Sequence, residues 1–258
     1  MAVRSDEGRI HHAIAQAASA LAASPFSVAL TGAGMSTESG LPDFRSPGGL
    51  WGEDDPVEVA TLTAFRRTPE KFYDFYQRRL ARLAAAAPNV GHQALAELEA
   101  SGRLGAIITQ NVDGLHQAAG SRQVIELHGN LREAACPQCQ WTGSIRLITE
   151  ALGAGTVPAC PRCAARVKPN VVLFEELLPQ AAYRQAEDAC RRAAVLLVVG
   201  SSLQVTPAAW LPQVARQHGA TVIIVNDEPT PFDHVAQFVL RGRAGAILPP
   251  LVAAVQKA

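Results

Sequence analysis

The sequence predicts an α/β protein: a doubly wound parallel sheet with a second, smaller domain. Three observations carry this. Short β-rich runs, several of them apolar throughout, recur along the chain; helical patterns alternate with them; and two stretches, 45–88 and 131–168, interrupt the alternation. Strands apolar at every position are expected where helices cover both faces of a sheet. The 258 residues suffice for one large domain or two modest ones.

Taken in order, Ile10, Ile14, Ala17, Ala18 and Leu21 recur at helical spacing and predict an amphipathic first helix. Strands are expected at 26–31, 106–109, 124–127, 195–199, 221–225 and 238–240, where β-branched and other apolar residues cluster. Helices are expected at 91–100, 180–193 and 246–257. Residues 45–88 carry a long helical pattern with no β-rich run, and 131–168 hold four cysteines among Pro, Gly and Arg. The larger domain is therefore expected to comprise 1–44, 89–130 and 169–258, and the smaller one 45–88 and 131–168, with a ligand crevice between them.

Composition narrows the function. Lys plus Arg equals Asp plus Glu at 23 each, so no net positive field draws in nucleic acid or an anionic membrane. The longest unbroken apolar stretch, Ala193 to Val199, is far short of the ~20 residues a spanning helix requires. The N-terminus lacks the basic start and apolar stretch of a secretory signal, and a cytoplasmic location is expected.

Cys136-Pro137-Gln138-Cys139 and Cys160-Pro161-Arg162-Cys163 have the spacing of a four-thiolate zinc site. A closed sulfur set leaves no position for a catalytic water, so the expected zinc is structural. Two disulfides or redox pairs are the alternative, and they fit a cytosolic chain poorly. Cys190 sits alone in a helical pattern and reads as core.

The strand at 26–31 runs into Gly32-Ala33-Gly34-Met35-Ser36, which begins like a dinucleotide fingerprint but has Thr37 where a third glycine would stand. Glycines at 32 and 34 still allow backbone N–H groups to approach a pyrophosphate. A plain strand-to-helix turn reads equally well at this point. The polar loop that follows, through Asp43, Phe44 and Arg45, can act as a lid, with Arg45 on phosphate and Phe44 over a ligand ring.

These blocks, together with Thr109-Gln110-Asn111-Val112-Asp113-Gly114-Leu115-His116, Leu127-His128-Gly129, the cysteine pairs, Gly200-Ser201-Ser202-Leu203, Val225-Asn226-Asp227-Glu228-Pro229-Thr230-Pro231 and Arg241-Gly242-Arg243-Ala244, resemble the sirtuins, the NAD-dependent protein lysine deacylases. The resemblance runs from about residue 26 to the end. It implies a Rossmann-type large domain, a small domain of zinc module and helical insertion, and NAD consumed as a co-substrate. The acyl group of a modified lysine would end on ADP-ribose, with nicotinamide and free lysine released; a mono-ADP-ribosyltransferase acting on a protein and a non-catalytic NAD-sensing module are the alternatives, and a base at His128 opposes the second.

By the same resemblance His128 is the catalytic base, and Asn111 acts beside it. NAD contacts are expected from Gly32, Ala33, Gly34, Ser36, Asp43, Phe44 and Arg45, from Gln110, Asn111 and Asp113 at the nicotinamide end, and from Gly200, Ser201, Ser202, Asn226, Asp227 and Ala244 at the adenosine end. His116 reads as structural, and the other histidines carry no chemical context. Val172 and Phe174 belong to a segment expected to pair with substrate backbone. That segment departs from the family, with Glu175 standing where glycine is usual; if that glycine has a positive φ, another backbone conformation is expected of Glu175, at a strain cost of about 1 kcal/mol, which bears on the peptide register and not on the NAD site. Tyr76 and Arg79 share a helix face at i, i+3. With Ala60 they resemble the class III subgroup, whose members remove succinyl, malonyl or glutaryl groups. Arg79 would hold the terminal carboxylate and Tyr76 would donate to it.

Overall fold

The structure, a computed structural model, describes residues 2–44, 46 and 48–258. Six parallel strands form the main sheet: β1 (Ser27–Thr31), β2 (Ala106–Thr109), β3 (Val124–Glu126), β7 (Val195–Val199), β8 (Thr221–Asn226) and β9 (Phe238–Arg241). Their order is β3-β2-β1-β7-β8-β9, so the winding reverses between β1 and β7. Ligands bind at such a reversal, beyond the carboxyl ends of the strands. A second, antiparallel sheet has the order β5-β4-β6, from β4 (Gly129–Ala135), β5 (Thr142–Ser144) and β6 (Lys168–Val171).

Alternation along each strand explains the two layers. Val195, Leu197 and Val199 of β7 face one side, packed with helices α1 (Ala2–Ala23), α6 (Val90–Ala100) and α11 (Ala244–Val255). Leu196 and Val198 face the other, against α9 (Gln180–Arg192) and α10 (Leu211–Gln217). Both sets are fully buried, which is why these strands are apolar without a break.

The interval 45–88 folds as α2 (Leu50–Glu53), α3 (Pro56–Val59), α4 (Leu62–Arg67) and α5 (Pro69–Ala84). The breaks follow from local chemistry. Asp55 and Thr61 turn their side chains back to cap the amides of Val57 and Ala64, and Pro56 and Pro69 begin new helices. Phe65, Phe72, Phe75 and Tyr76 then pack with Leu131, Ile148 and Val167 in a third core, beside α8 (Arg146–Gly153). A short α7 (Leu115–Ala118) completes the helices. The last helix begins at Ala244, two residues earlier than its pattern suggests, because the Glu38 carboxylate accepts the Gly245 N–H at 2.7 Å. Among the described residues, no helix is long and apolar enough to cross a membrane.

Candidate active site

At the winding reversal the loops after β1 and β7 are nested. Gly34 N donates to Gly200 O at 2.8 Å and Gly32 N to Val199 O at 3.1 Å. Gly200 is left-handed (φ 58°), and a Cβ on it would lie 2.3 Å from Met35 N. A Cβ on Gly34 would lie 2.9 Å from Gly200 Cα. Only bare backbone fits both places, and this leaves a shallow cradle where phosphates can come close to main-chain atoms.

The cradle opens into a cavity of about 920 Å³. Gly32, Ala33 and Gly34 line it from β1, Gln110 and Asn111 from β2, and His128 from beyond β3. Gly200, Ser201 and Ser202 enter after β7, Asn226 and Asp227 from β8, and Ala244 from the start of α11. Asp43 and Phe44 reach it from the loop after β1; Arg45 lies outside the described residues. Ser36 and Asp113 line an adjoining hollow of about 60 Å³ together with Leu41, Pro42 and Val112. Ala60, Tyr76 and Arg79 form the wall on the small-sheet side, and Val172 and Phe174 lie next to them.

Polar side chains here hold one another in place. Asn111 Nδ2 donates to Gly32 O at 3.0 Å and to Ser36 Oγ at 3.1 Å, and Ser36 Oγ donates to Asp113 Oδ2 at 2.7 Å. Asp113 also accepts from Leu115 N at 2.9 Å. The Asn111 N–H ends on Thr109 Oγ1, which accepts the Thr31 hydroxyl at 2.9 Å. Gln110 Nε2 reaches Ser201 Oγ at 2.9 Å and so joins the ends of β2 and β7.

His128 stands where the chain leaves the parallel sheet for the small one. Its Nδ1 lies 2.9 Å from the Gln110 carbonyl, which can only accept, so Nδ1 carries the proton. The lone pair is therefore on Nε2. Burial lowers its pKa from 6.5, and the carbonyl contact opposes this in part. A neutral imidazole with a free Nε2, bordering a ligand-sized cavity, is equipped to take a proton. Gly129 next to it is left-handed (φ 74°), and a Cβ there would strike Asn170 O at 2.0 Å.

Taken with the pocket, the comparisons decide the family. A family model described as the Sir2 family matches residues 32–207. The chain belongs to the Sir2 family. It is 46% identical over 237 residues to NAD-dependent protein deacylase 2 of Pyrobaculum aerophilum, covering 92% of this chain and 94% of that one. It is 45% identical over 245 residues to NAD-dependent protein deacylase 2 of Archaeoglobus fulgidus, covering 95% and 96%. A solved Sir2 homologue in complex with NAD superposes with a TM-score of 0.85 at 41% identity, covering 93% of both chains. A solved Sir2 with a p53 peptide and NAD+ gives 0.85 at 38%, covering 93% of this chain and 97% of the other.

The small-sheet side of the cavity completes the site of this Sir2 chain. Tyr76 is buried, and burial pushes its hydroxyl up to about 12, so it stays a donor. The Arg79 guanidinium lies 5.5 to 5.8 Å from the ring centres of Phe44, Phe75 and Tyr76. No carboxylate among the described residues lies at ion-pair distance from it; burial lowers its pKa from 12.5, and Tyr76 and the more distant Asp113 carboxylate oppose this in part. Trp51, which the sequence did not single out, stacks with Phe75 and also meets Phe44 and Phe174. Glu175 overturns an expectation: it keeps the left-handed conformation (φ 75°). Its carboxylate accepts from Thr63 N at 2.9 Å and Thr63 Oγ1 at 2.8 Å, which offsets a strain of about 1 kcal/mol.

Away from the cavity, the Sγ atoms of Cys136, Cys139, Cys160 and Cys163 lie within 4.8 Å of one another. Two of the gaps are 3.6 Å, far beyond the ~2.05 Å of a disulfide. They are close to the roughly 3.8 Å that a tetrahedral ion with ~2.3 Å bonds imposes. The two pairs share one turn design. Gln140 N donates to Cys136 O and Ala164 N to Cys160 O, with Gln140 and Ala164 both left-handed. These four sulfurs are positioned to hold a metal ion.

Proposed function

We propose that this protein removes acyl groups from lysine side chains of other proteins in an NAD-dependent reaction that yields nicotinamide, O-acyl-ADP-ribose and free lysine. The observation that carries it is His128, whose Nδ1–H is held by Gln110 O while Nε2 stays free at the cavity. NAD supplies an electrophilic ribose carbon and a good leaving group. The nested loops would hold its phosphates through the amides of Ala33, Ser201 and Ser202, which have no backbone partner among the described residues, while the bare Gly34 and Gly200 let the phosphates come close; Asn226 and Asp227 would hold its adenosine ribose. Asn111, fixed by Gly32 and Ser36, would orient the nicotinamide ribose. The acyl carbonyl oxygen of the substrate would take the place of nicotinamide at the electrophilic ribose carbon, and His128 would take the proton of the neighbouring ribose hydroxyl as its oxygen attacks the acyl carbon. Water would complete the release of the lysine amine, leaving the acyl group on the ribose oxygen. Cys136, Cys139, Cys160 and Cys163 would bind one structural zinc.

The same reading extends to the acyl group. Arg79 in its ring of aromatics, with no ion-pair partner among the described residues, favours an acyl chain ending in a carboxylate, such as succinyl or malonyl. Tyr76 would donate to that carboxylate, and the small Ala60 leaves room for the chain. Leaving a desolvated guanidinium unpaired disfavours acetyl by about 2 kcal/mol, roughly 30-fold in kcat/KM. The test is mass spectrometry of products from NAD with acetyl- and succinyl-lysine forms of one peptide, using wild type and Arg79→Met. Expected are O-acyl-ADP-ribose and free-lysine peptide, a succinyl preference, and its loss in Arg79→Met. ADP-ribosylated protein without deacylated peptide would overturn the first reading; acetyl activity equal to or above succinyl in wild type would overturn the second.

A further inference from the structure

The segment that follows β6 is tied down on three sides. Val172 N donates to His128 O at 2.9 Å. Phe174 pairs with the start of α4, its N–H on Ala60 O at 3.0 Å and its carbonyl accepting Leu62 N at 3.1 Å. Glu176 folds its carboxylate back onto Leu173 N at 2.9 Å and the buried Lys168 at 3.0 Å. Phe174 therefore has no main-chain group left for another strand. Among the described residues, no backbone group engages the N–H or the C=O of Glu175, and Glu175 borders the cavity. The N–H and C=O of Glu175 are thus open to an incoming peptide, as is the Val172 carbonyl, and the direction of the Glu175 groups is set by a conformation that an L-residue adopts only at a cost.

We infer that the Glu175 side chain is a positioning residue: gripped by the N–H and hydroxyl of Thr63, it holds its own backbone in the left-handed form that presents the peptide-docking edge. Two adjacent carboxylates divide the work. Glu176 ties the segment to the small sheet, and Glu175 ties it to the helical insertion. Where glycine would adopt this conformation freely, this chain uses a side-chain clasp, and it gains a docking edge whose placement depends on α4.

The inference rests on the cleft being the substrate-peptide site, and the experiment separates the two. Steady-state kinetics with one acyl-lysine peptide are measured for wild type, Glu175→Ala, Glu175→Gly, Thr63→Val and the Glu175→Ala/Thr63→Val double variant. Glu175→Ala keeps the strain and loses the clasp, so peptide KM is expected to rise about 10-fold, with kcat and NAD KM each within about two-fold of wild type. Glu175→Gly removes the strain as well, and peptide KM should fall between those of wild type and Glu175→Ala. Thr63→Val should raise peptide KM about three-fold, and the double variant should match Glu175→Ala alone, since both substitutions break one contact. In parallel, hydrogen exchange at the Thr63 amide should quicken at least 10-fold in Glu175→Ala. An unmoved peptide KM, an additive double variant, or equal losses in kcat and NAD KM would overturn the inference. If wild type turns over no acyl peptide, the functional reading fails instead, and unchanged Thr63 exchange would still overturn the clasp.

Discussion

His128 takes its proton state from a single main-chain oxygen. With neutral His128 as the proposed base and its pKa held below 6.5 by burial, the acid limb of the pH–rate profile should lie below pH 6.5, with a plateau above it. A limb above pH 7 would mean that another group limits the rate. His128→Ala should reduce deacylation at least 100-fold while a calorimetric titration still detects NAD. His92 and His116 are a different case. Asn89 N donates to His92 Nδ1 as part of the cap of α6, His116 contacts Thr31, and the two rings lie 4.9 Å apart, both fully enclosed. Burial, reinforced by His92, pushes the His116 pKa down to about 3. A histidine depressed when folded binds its proton only on unfolding, so stability should be full above about pH 6.5 and fall as pH drops. The loss attributable to His116 is about 2 kcal/mol by pH 5. Thermal melts at pH 7 and pH 5 should differ less in His116→Gln than in wild type; equal differences would refute the assignment. The place of His128 after a strand was legible in the sequence, whereas the role proposed for it rested on the resemblance. The setting of His92 was not legible, because its partners Asn89 and His116 are set by a cap and by a crossing of helices.

Elements divide in the same way. The central strands of the main sheet were legible because burial on both faces leaves no polar position in runs such as 195–199, whereas the four helices within 45–88 merge into one pattern until the caps at Asp55 and Thr61 are seen. Glu175 was read wrongly for a tertiary reason: its rescuer, Thr63, is more than a hundred residues away in the chain. The paired cysteine turns were plain in the spacing, since each needs only four consecutive residues. Freshly purified protein should carry about one equivalent of zinc by elemental analysis, and Cys139→Ser should lower the melting temperature; less than half an equivalent would count against the site. The nested loops give a sharper expectation. Gly200→Ala must place a Cβ against Met35 N in a left-handed residue, so NAD binding by calorimetry should weaken at least 10-fold, and undiminished affinity would show that the loops do not form the cradle.

At the scale of the whole molecule, the site is a property of strand order. Groups from β1, β2, β7 and β8 meet only because the sheet reverses between β1 and β7, and His128 joins them because the chain passes there from one sheet to the other. That same order has a consequence during synthesis. β1 is made early and can pair with β2 once about 80 more residues have been made, but its other neighbour, β7, is translated roughly 170 residues later. At about 5 to 20 residues per second the nascent chain leaves one apolar, unpaired edge of Ser27–Thr31 uncovered for on the order of 10 to 30 seconds. A chain ending at residue 190 should accordingly associate with holdase chaperones or aggregate, the full-length chain should escape both, and slower, cooler expression should raise the demand for such protection.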